Sequence, residues 1–361
     1  MSAFRRGWMA GLVAACLAGF PVRIGAVTPF TTAHPEVYRQ APVALGGAGW
    51  EWTGTFGPFT GVPVGPSTFV TAAHIGQSPG QWFGWRGQAF RAVSSETDPQ
   101  SDLRAWHICG QFPAFAPRVA SDLREGEGVV ILGRGTSRGA EVLGDRGLGP
   151  ELAGWAWGAN DGVLRWGTNT VDQLVDGSEV GLRGPVVVFD FDGDAGDDEC
   201  SVSVGDSGGP TWVRRAGEWQ LAAITYATDS EFRTDPGGPS QRGTIFDFRG
   251  LYRNAGGGAW EVEPSNGDAP VPAILISTRV WPRRQWMDAA IQHAPGAASL
   301  LASPVLDGTY GPVAGVSHDP VRREFRVNLG PEASFFRVTG PAGPLLRDIR
   351  REGSRLVIRY D

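Results

Sequence analysis

Ser203-Val204-Gly205-Asp206-Ser207-Gly208-Gly209-Pro210 is the stretch on which the reading of this chain turns. It sets a hydroxyl and a carboxylate among glycines in one tight turn. A serine hydroxyl becomes a useful nucleophile only when a neighbouring base accepts its proton, and the tetrahedral oxyanion that follows needs preorganised N–H donors aimed at it. The backbone N–H groups of Gly205 and Ser207 suit that task. Glycines on both sides of the serine allow backbone angles that a side chain forbids, and they let another backbone come close. Asp206 is the odd member. A carboxylate beside a developing negative charge repels it, unless it turns inward and meets a cation there.

Around this turn lie 361 residues, enough for one large domain and a smaller module. The 53 glycines and 27 prolines suit a loop-rich all-β protein better than a helical one. A formal net charge of -6 without any basic run argues against nucleic acid or an anionic membrane surface as partner. Residues 1–26 read as an export signal: Arg5 and Arg6 form a basic flank, Trp8 to Phe20 an apolar run, and small residues end it at Gly25-Ala26. No later segment approaches the roughly 18 apolar residues of a transmembrane span. The expectation is a protein without a transmembrane segment, secreted or periplasmic. Val13-Ala14-Ala15-Cys16 also has the form of a lipoprotein cleavage site, which would anchor the chain through Cys16. Export removes or modifies Cys16, leaving Cys109 and Cys200 as the pair available for a disulfide.

The base that Ser207 needs is sought among His34, His74, His107, His293 and His318. His74 alone closes an apolar strand, Ser67-Thr68-Phe69-Val70-Thr71-Ala72-Ala73-His74, where small residues allow close packing around an imidazole. An aspartate that opens an alternating strand stands at Ser101-Asp102-Leu103-Arg104-Ala105-Trp106-His107-Ile108, with Leu103, Ala105 and His107 on one face and Arg104, Trp106 and Ile108 on the other. Asp98 is the fallback.

With these residues in view, the chain resembles the chymotrypsin-like (trypsin) serine protease family, as a secreted bacterial member. Gly205 to Pro210 matches its GDSGGP motif, Val70 to His74 its V-[ST]-A-A-H motif, and Asp102-Leu103 its D-[IL]-A-L-L strand. Arg104 replaces the usual alanine there. Gly128 to Thr136 is similar to the strand and turn that begin the family's second barrel, and Ile276 to Val280, followed by Trp286-Met287, to its T-R-V strand and closing helix. The resemblance spans about Gly47 to His293.

It implies an all-β fold of two packed six-stranded antiparallel β-barrels, with a C-terminal helix over Pro282 to His293. It implies His74 as general base, Asp102 as its orienting partner, Ser207 as nucleophile, and Gly205 with Ser207 as the oxyanion hole. The substrate would be a protein or peptide, and no cofactor or metal is required. Counting back six residues from Ser207 places Ser201 at the floor of the specificity pocket. Thr225, Tyr226 and Ala227 would form the strand that binds substrate. A neutral Ser201, Ala227 and Leu275 at positions usually held by glycine suggest a shallow pocket for a small apolar side chain. Glu199 is the nearby alternative source of a charge. Members of the family often free an amino terminus that pairs with the aspartate of GDSGGP; the nearest candidate here is Val43-Ala44-Leu45-Gly46-Gly47, a poor match.

Three segments add to this plan. Asp190 to Glu199 is an acidic run that fails the EF-hand spacing and reads as a solvated loop, with calcium the alternative. Residues 229–271 are rich in glycine and proline and read as an inserted surface loop. After the domain over 27–295, a small-residue linker at 294–304 leads to residues 305–361, whose period-two alternation predicts a small β module. Two rival readings share the scaffold: a catalytically silent binding protein and an esterase-like acyl hydrolase.

Overall fold

Aromatic and β-branched residues between Gly54 and Ile108 close a barrel. The computed structural model describes residues 27–30, 37–108, 110–147, 149–256, 258–265, 269–294, 299–313, 315–319, 322–328, 335–339 and 346–360. The export-signal residues 1–26, Cys16 among them, and Cys109 lie outside the described residues; Cys200 is a buried free thiol.

The barrel runs Gly54–Phe56, Phe59–Gly65, Thr68–Ala72, Leu103–Ile108, Gln88–Thr97 and Trp82–Trp85, each strand antiparallel to the next and the last paired to the first. Phe56, Phe69, Phe83, Trp106 and Ile108 fill it and are fully buried. Each such side chain stabilises the fold by about 1.5–3 kcal/mol. Gly54 makes room for them, since a Cβ there would sit 2.2 Å from the Phe83 ring. The alternation expected in Leu103–Ile108 holds. Trp106 and Ile108 point into the barrel, while Leu103, on the opposite face, joins a second core cluster. His107 is buried too, with Nε2 3.0 Å from the Ala290 carbonyl oxygen of the C-terminal helix.

The hydrogen-bond ladder closes once, not twice. Where the sequence led to a second six-stranded barrel, Arg165–Thr170, Gly128–Gly133, Pro210–Arg215, Glu218–Thr228, Ile274–Arg279, Pro185–Asp190 and Gln173–Asp176 form an open seven-stranded sheet in that order. Its two edge strands are separated in the chain by Val171 and Asp172 alone, so the sheet must curl until its edges come near each other. At the seam Asn169 Nδ2, on the first edge strand, donates to the Asp190 carbonyl at 2.9 Å, and the Asp190 N–H donates to Asp172 Oδ2 at 2.7 Å. The closing helix is present as Arg284–Gln292, with Pro282 in the turn before it and Met287 and Ala290 buried.

Residues 229–271 are not a surface loop. Glu231–Arg233, Gln241–Ile245, Tyr252–Gly256 and Ala259–Val262 join the hairpin Arg138–Asp145/Pro150–Trp157 in a six-stranded sheet. Phe232, Ile245, Phe248 and Leu251 pack with Val142 and Ala153 as its own core. Isolated apolar residues among glycines looked like loop composition. They bury here because their partners come from some ninety residues upstream.

The period-two reading of the C-terminus gives strands from Ser299–Ser303 to Arg355–Tyr360, paired among themselves as a three-stranded and a four-stranded sheet around Leu300, Phe325, Val327, Ile358 and Tyr360. The first of these strands begins inside the expected linker. Among the described residues, no helix is long and apolar enough to cross a membrane.

Candidate active site

Strand register brings the imidazole to the carboxylate. Thr68–Ala72 lies antiparallel to Leu103–Ile108 with Ala72 opposite Leu103, so the residues just beyond both strands leave the barrel at one rim. There the Ala73 N–H donates to the Asp102 carbonyl at 2.7 Å. The His74 N–H donates to Asp102 Oδ1 at 3.0 Å, and His74 Nδ1 lies 2.6 Å from Oδ2. An ionised carboxylate only accepts hydrogen bonds, so the proton belongs on Nδ1 and Nε2 is left as an acceptor. His74 Nε2 lies 2.7 Å from Ser207 Oγ. Asp102 is 7% exposed and His74 37%; the relay runs from interior to solvent.

Ser207 reaches that position through the glycines around it. Gly205 and Gly208 hold φ of +98° and +81°, which residues with a side chain rarely adopt. Gly208 sits where the curled sheet meets the barrel: a Cβ there would lie 2.1 Å from Thr71 Oγ1 and 2.8 Å from the Thr60 carbonyl. The Gly208 N–H donates to the Thr225 carbonyl at 3.1 Å, and the Thr225 N–H to the Gly209 carbonyl at 2.8 Å. Gly208→Ala is therefore expected to cost roughly 2–5 kcal/mol, from overpacking and a left-handed backbone together. Denaturant unfolding of the variant against wild type measures it.

Asp98, the fallback carboxylate, has a different place. It is fully buried and bound by Arg283 through Nε at 2.6 Å and Nη2 at 2.8 Å, by Ser101 Oγ at 2.6 Å and by the Gln100 N–H at 3.0 Å. Burial alone would raise its pKa, but the hydrogen bonds from Arg283, Ser101 and Gln100 outweigh that and hold it below the usual carboxylate range. The pair ties the residues before the helix to the loop that carries Asp102. Breaking such a pair costs about 3–5 kcal/mol.

Asp206 does turn inward. Gly135 N–H donates to Oδ1 at 2.6 Å, Ser203 N–H to Oδ2 at 2.7 Å, and Ser203 Oγ lies 3.1 Å from Oδ2. Gly133 and Gly135 form its cradle, since a Cβ at either would come within 2.0 and 2.1 Å of its oxygens. Sequence reading took Gly133 only as a fold marker. The candidate partner Val43 is 85% exposed, so it cannot meet this buried carboxylate.

Among the expected pocket residues, Ser201 is buried and pairs through its strand with Thr28, and Thr225 is buried beside Gly208 and Gly209. Tyr226 is the extra residue of a β-bulge, between Thr225 opposite Ser277 and Ala227 opposite Ile276. Bulges re-aim side chains; this one lays the Tyr226 ring over His74, with centroids 5.6 Å apart and planes at 25°. Leu275 is fully buried in the core of the curled sheet. Glu199 is 5% exposed. Burial, then the nearby Asp192, pushes its carboxyl up to about 8, so near neutrality it is largely uncharged.

The acidic run is only partly solvated. Burial, with Asp172 and Asp192 beside it, pushes Asp190 up to about 7. Among the described residues, no three His, Cys, Asp or Glu are arranged to hold a metal ion. The folded protein thus keeps protons on Asp190 and Glu199 that the unfolded chain releases near pH 4. Their contribution to stability is complete below about pH 4 and is lost as pH rises towards about 8. Thermal unfolding should show a midpoint that falls between pH 5 and pH 8, and a shallower fall in Asp190→Asn/Glu199→Gln.

No family model and no curated protein matches the sequence. Among solved structures the chain is similar to neuropsin, a serine protease expressed in the limbic system of mouse brain, at 13% identity over 66% of this chain and 93% of that one, with a TM-score of 0.40.

Proposed function

We propose that the chain is a serine endopeptidase of the chymotrypsin-like family, hydrolysing peptide bonds through an acyl-enzyme. The observation that carries the reading is the continuous relay of Asp102, His74 and Ser207, with contacts of 2.6 and 2.7 Å, from residues far apart in sequence. Ser207 Oγ attacks the substrate carbonyl carbon while His74 Nε2 takes its proton. Asp102 fixes the ring and stabilises the imidazolium that forms. The N–H groups of Gly205 and Ser207 hold the oxyanion. His74 then protonates the leaving amine, and water, deprotonated by the same imidazole, releases the acyl group as a carboxylic acid.

The curled sheet takes the part of the second barrel. Residues 1–26 direct export, so the protein works outside the cytoplasm. Ser201, Thr225, Tyr226 and Ala227 line the substrate site, with Leu275 behind it, and favour a small apolar residue before the scissile bond. The test is hydrolysis of casein compared with small activated esters. Casein cleavage abolished in Ser207→Ala supports the proposal. Ester hydrolysis without any peptide cleavage overturns it in favour of an acyl hydrolase, and neither activity favours a silent binding protein.

A further inference from the structure

Arg134 is a charged group to which the proposed chemistry gives no part, and the register of the curled sheet sets it beside Ser207. The strand Pro210–Arg215 follows Ser207 almost directly. It has Gly128–Gly133 along one side and Glu218–Thr228 along the other, with Thr211 opposite Ile131 and Pro210 opposite Ile224. Ser207 therefore stands at the head of a strand with a neighbour on each side. The residues just past Gly133 and just past Ile224 flank it from opposite sides: Arg134 on one, Thr225 to Ala227 on the other. The first flank is closely packed, since a Cβ on Gly209 would lie 2.3 Å from the Leu132 carbonyl oxygen.

The half-buried guanidinium reaches from the curled sheet to the barrel. Its Nε donates to the Gly162 carbonyl at 2.8 Å, and Nη1 lies 3.4 Å from the Gly57 carbonyl, in the turn that joins Gly54–Phe56 to Phe59–Gly65. That turn also borders the residues after His74: a Cβ on Gly57 would lie 3.4 Å from the Gln77 side-chain amide. Among the described residues no carboxylate pairs with Arg134, its Nη2 donors have no partner, and burial lowers its pKa with no opposing charge. Asp161, beside Gly162, is already taken. Arg165 binds both of its oxygens, and Arg39 lies 3.7 Å from one of them. This flank thus sets Arg39, Arg134 and Arg165 against a single carboxylate.

We infer that Arg134 selects substrates that carry a carboxylate shortly after the scissile bond, an inference that rests on the endopeptidase reading. A peptide lying across Ser207 runs from one flank to the other. With the residues before the bond along Thr225 to Ala227, those after it pass towards Arg134. A guanidinium is a planar fork that binds a carboxylate through two parallel N–H···O bonds. Partly withdrawn from water and without a counter-ion, this one gains from meeting such a group, because attraction between charges strengthens as the surroundings become less polar. An aspartate or glutamate side chain in the leaving segment and the carboxylate that ends a short leaving segment offer the same chemistry. A lysine or arginine there is repelled. Arg134 takes no proton and forms no bond to the reacting atoms; it is a specificity-determining residue, reading by charge on one flank what the neutral pocket on the other does not.

Quenched fluorescent peptides test this on the exported protein. They are identical up to the scissile bond and carry either glutamate or glutamine at the first, second or third position after it. At one of these positions kcat/KM for the glutamate peptide should exceed that for the glutamine peptide by about tenfold or more, and the ratio should fall in high salt. Arg134→Lys should keep part of the ratio, Arg134→Gln should bring it close to one, and Arg134→Glu should turn the preference towards lysine. Each ratio is taken within one variant, so a partly unfolded variant still reports it. Peptides that end just past the bond, with a free carboxylate or an amide, tell a chain end from a side chain; either source upholds the inference. Calorimetric binding of the same peptides to Ser207→Ala, with and without Arg134→Gln, reads the preference in the absence of turnover. No carboxylate preference in turnover or in binding, or one that Arg134→Gln leaves unchanged, overturns the inference. A preference in binding that Arg134→Gln removes, with no cleavage by wild type, upholds the carboxylate site and removes the endopeptidase reading instead.

Discussion

Ser207→Ala is expected to lower peptide turnover by about a millionfold, with folding stability nearly unchanged, and His74→Ala to lower it about as much. The two losses should not add. Oγ is the atom that bonds to the substrate carbon, and Nε2, 2.7 Å away, is where its proton goes; removing either stops the same step. Turnover of an unstructured protein substrate by each single variant and by the double variant measures this. A double variant that falls far below both singles would mean that the two side chains act separately.

Asp102→Asn is expected to reduce turnover by roughly ten-thousandfold while leaving the fold intact. The asparagine amide turned towards Nδ1 would donate where the carboxylate now accepts at 2.6 Å, forcing the ring proton onto Nε2. Nε2 then cannot accept from Ser207. The readout is the turnover number beside the unfolding midpoint: a large fall in the first with little change in the second. Equal losses in both would make Asp102 a structural carboxylate like Asp98.

The parts of the site that could be read in the sequence are those whose chemistry is local. Ser207 announces itself because glycine, aspartate and serine must share one turn, and His74 because small residues crowd in before it. Asp102 against Asp98 was harder, since both precede the same strand. What separates them is Arg283, 185 positions along the chain from Asp98, which neutralises Asp98 within the fold. No local pattern carries that information. The ring of Tyr226 over His74 depends on a bulge, and a bulge is a property of two strands and their register, not of one. The sheet at residues 231–262 was hidden for the same reason: its core residues look isolated until the hairpin from 138–157 arrives. The curled sheet reads as barrel strands one by one, and only the two-residue link at Val171 and Asp172 decides how its edges meet. Asp206 shows the converse. That its carboxylate turns inward was legible from its place beside the nucleophile, yet Val43, the nearest sequence match for a partner, is exposed, and the donors that do hold it, Gly135 and Ser203, had no motif to mark them.

The central claim is that Ser207 is an activated nucleophile. Reaction of the exported protein with a fluorophosphonate, followed by peptide mass spectrometry, tests it most directly. A single adduct on Ser207, absent from Ser207→Ala and strongly slowed in His74→Ala, is the predicted result; an unmodified Ser207, or labelling that persists at full rate without His74, contradicts it.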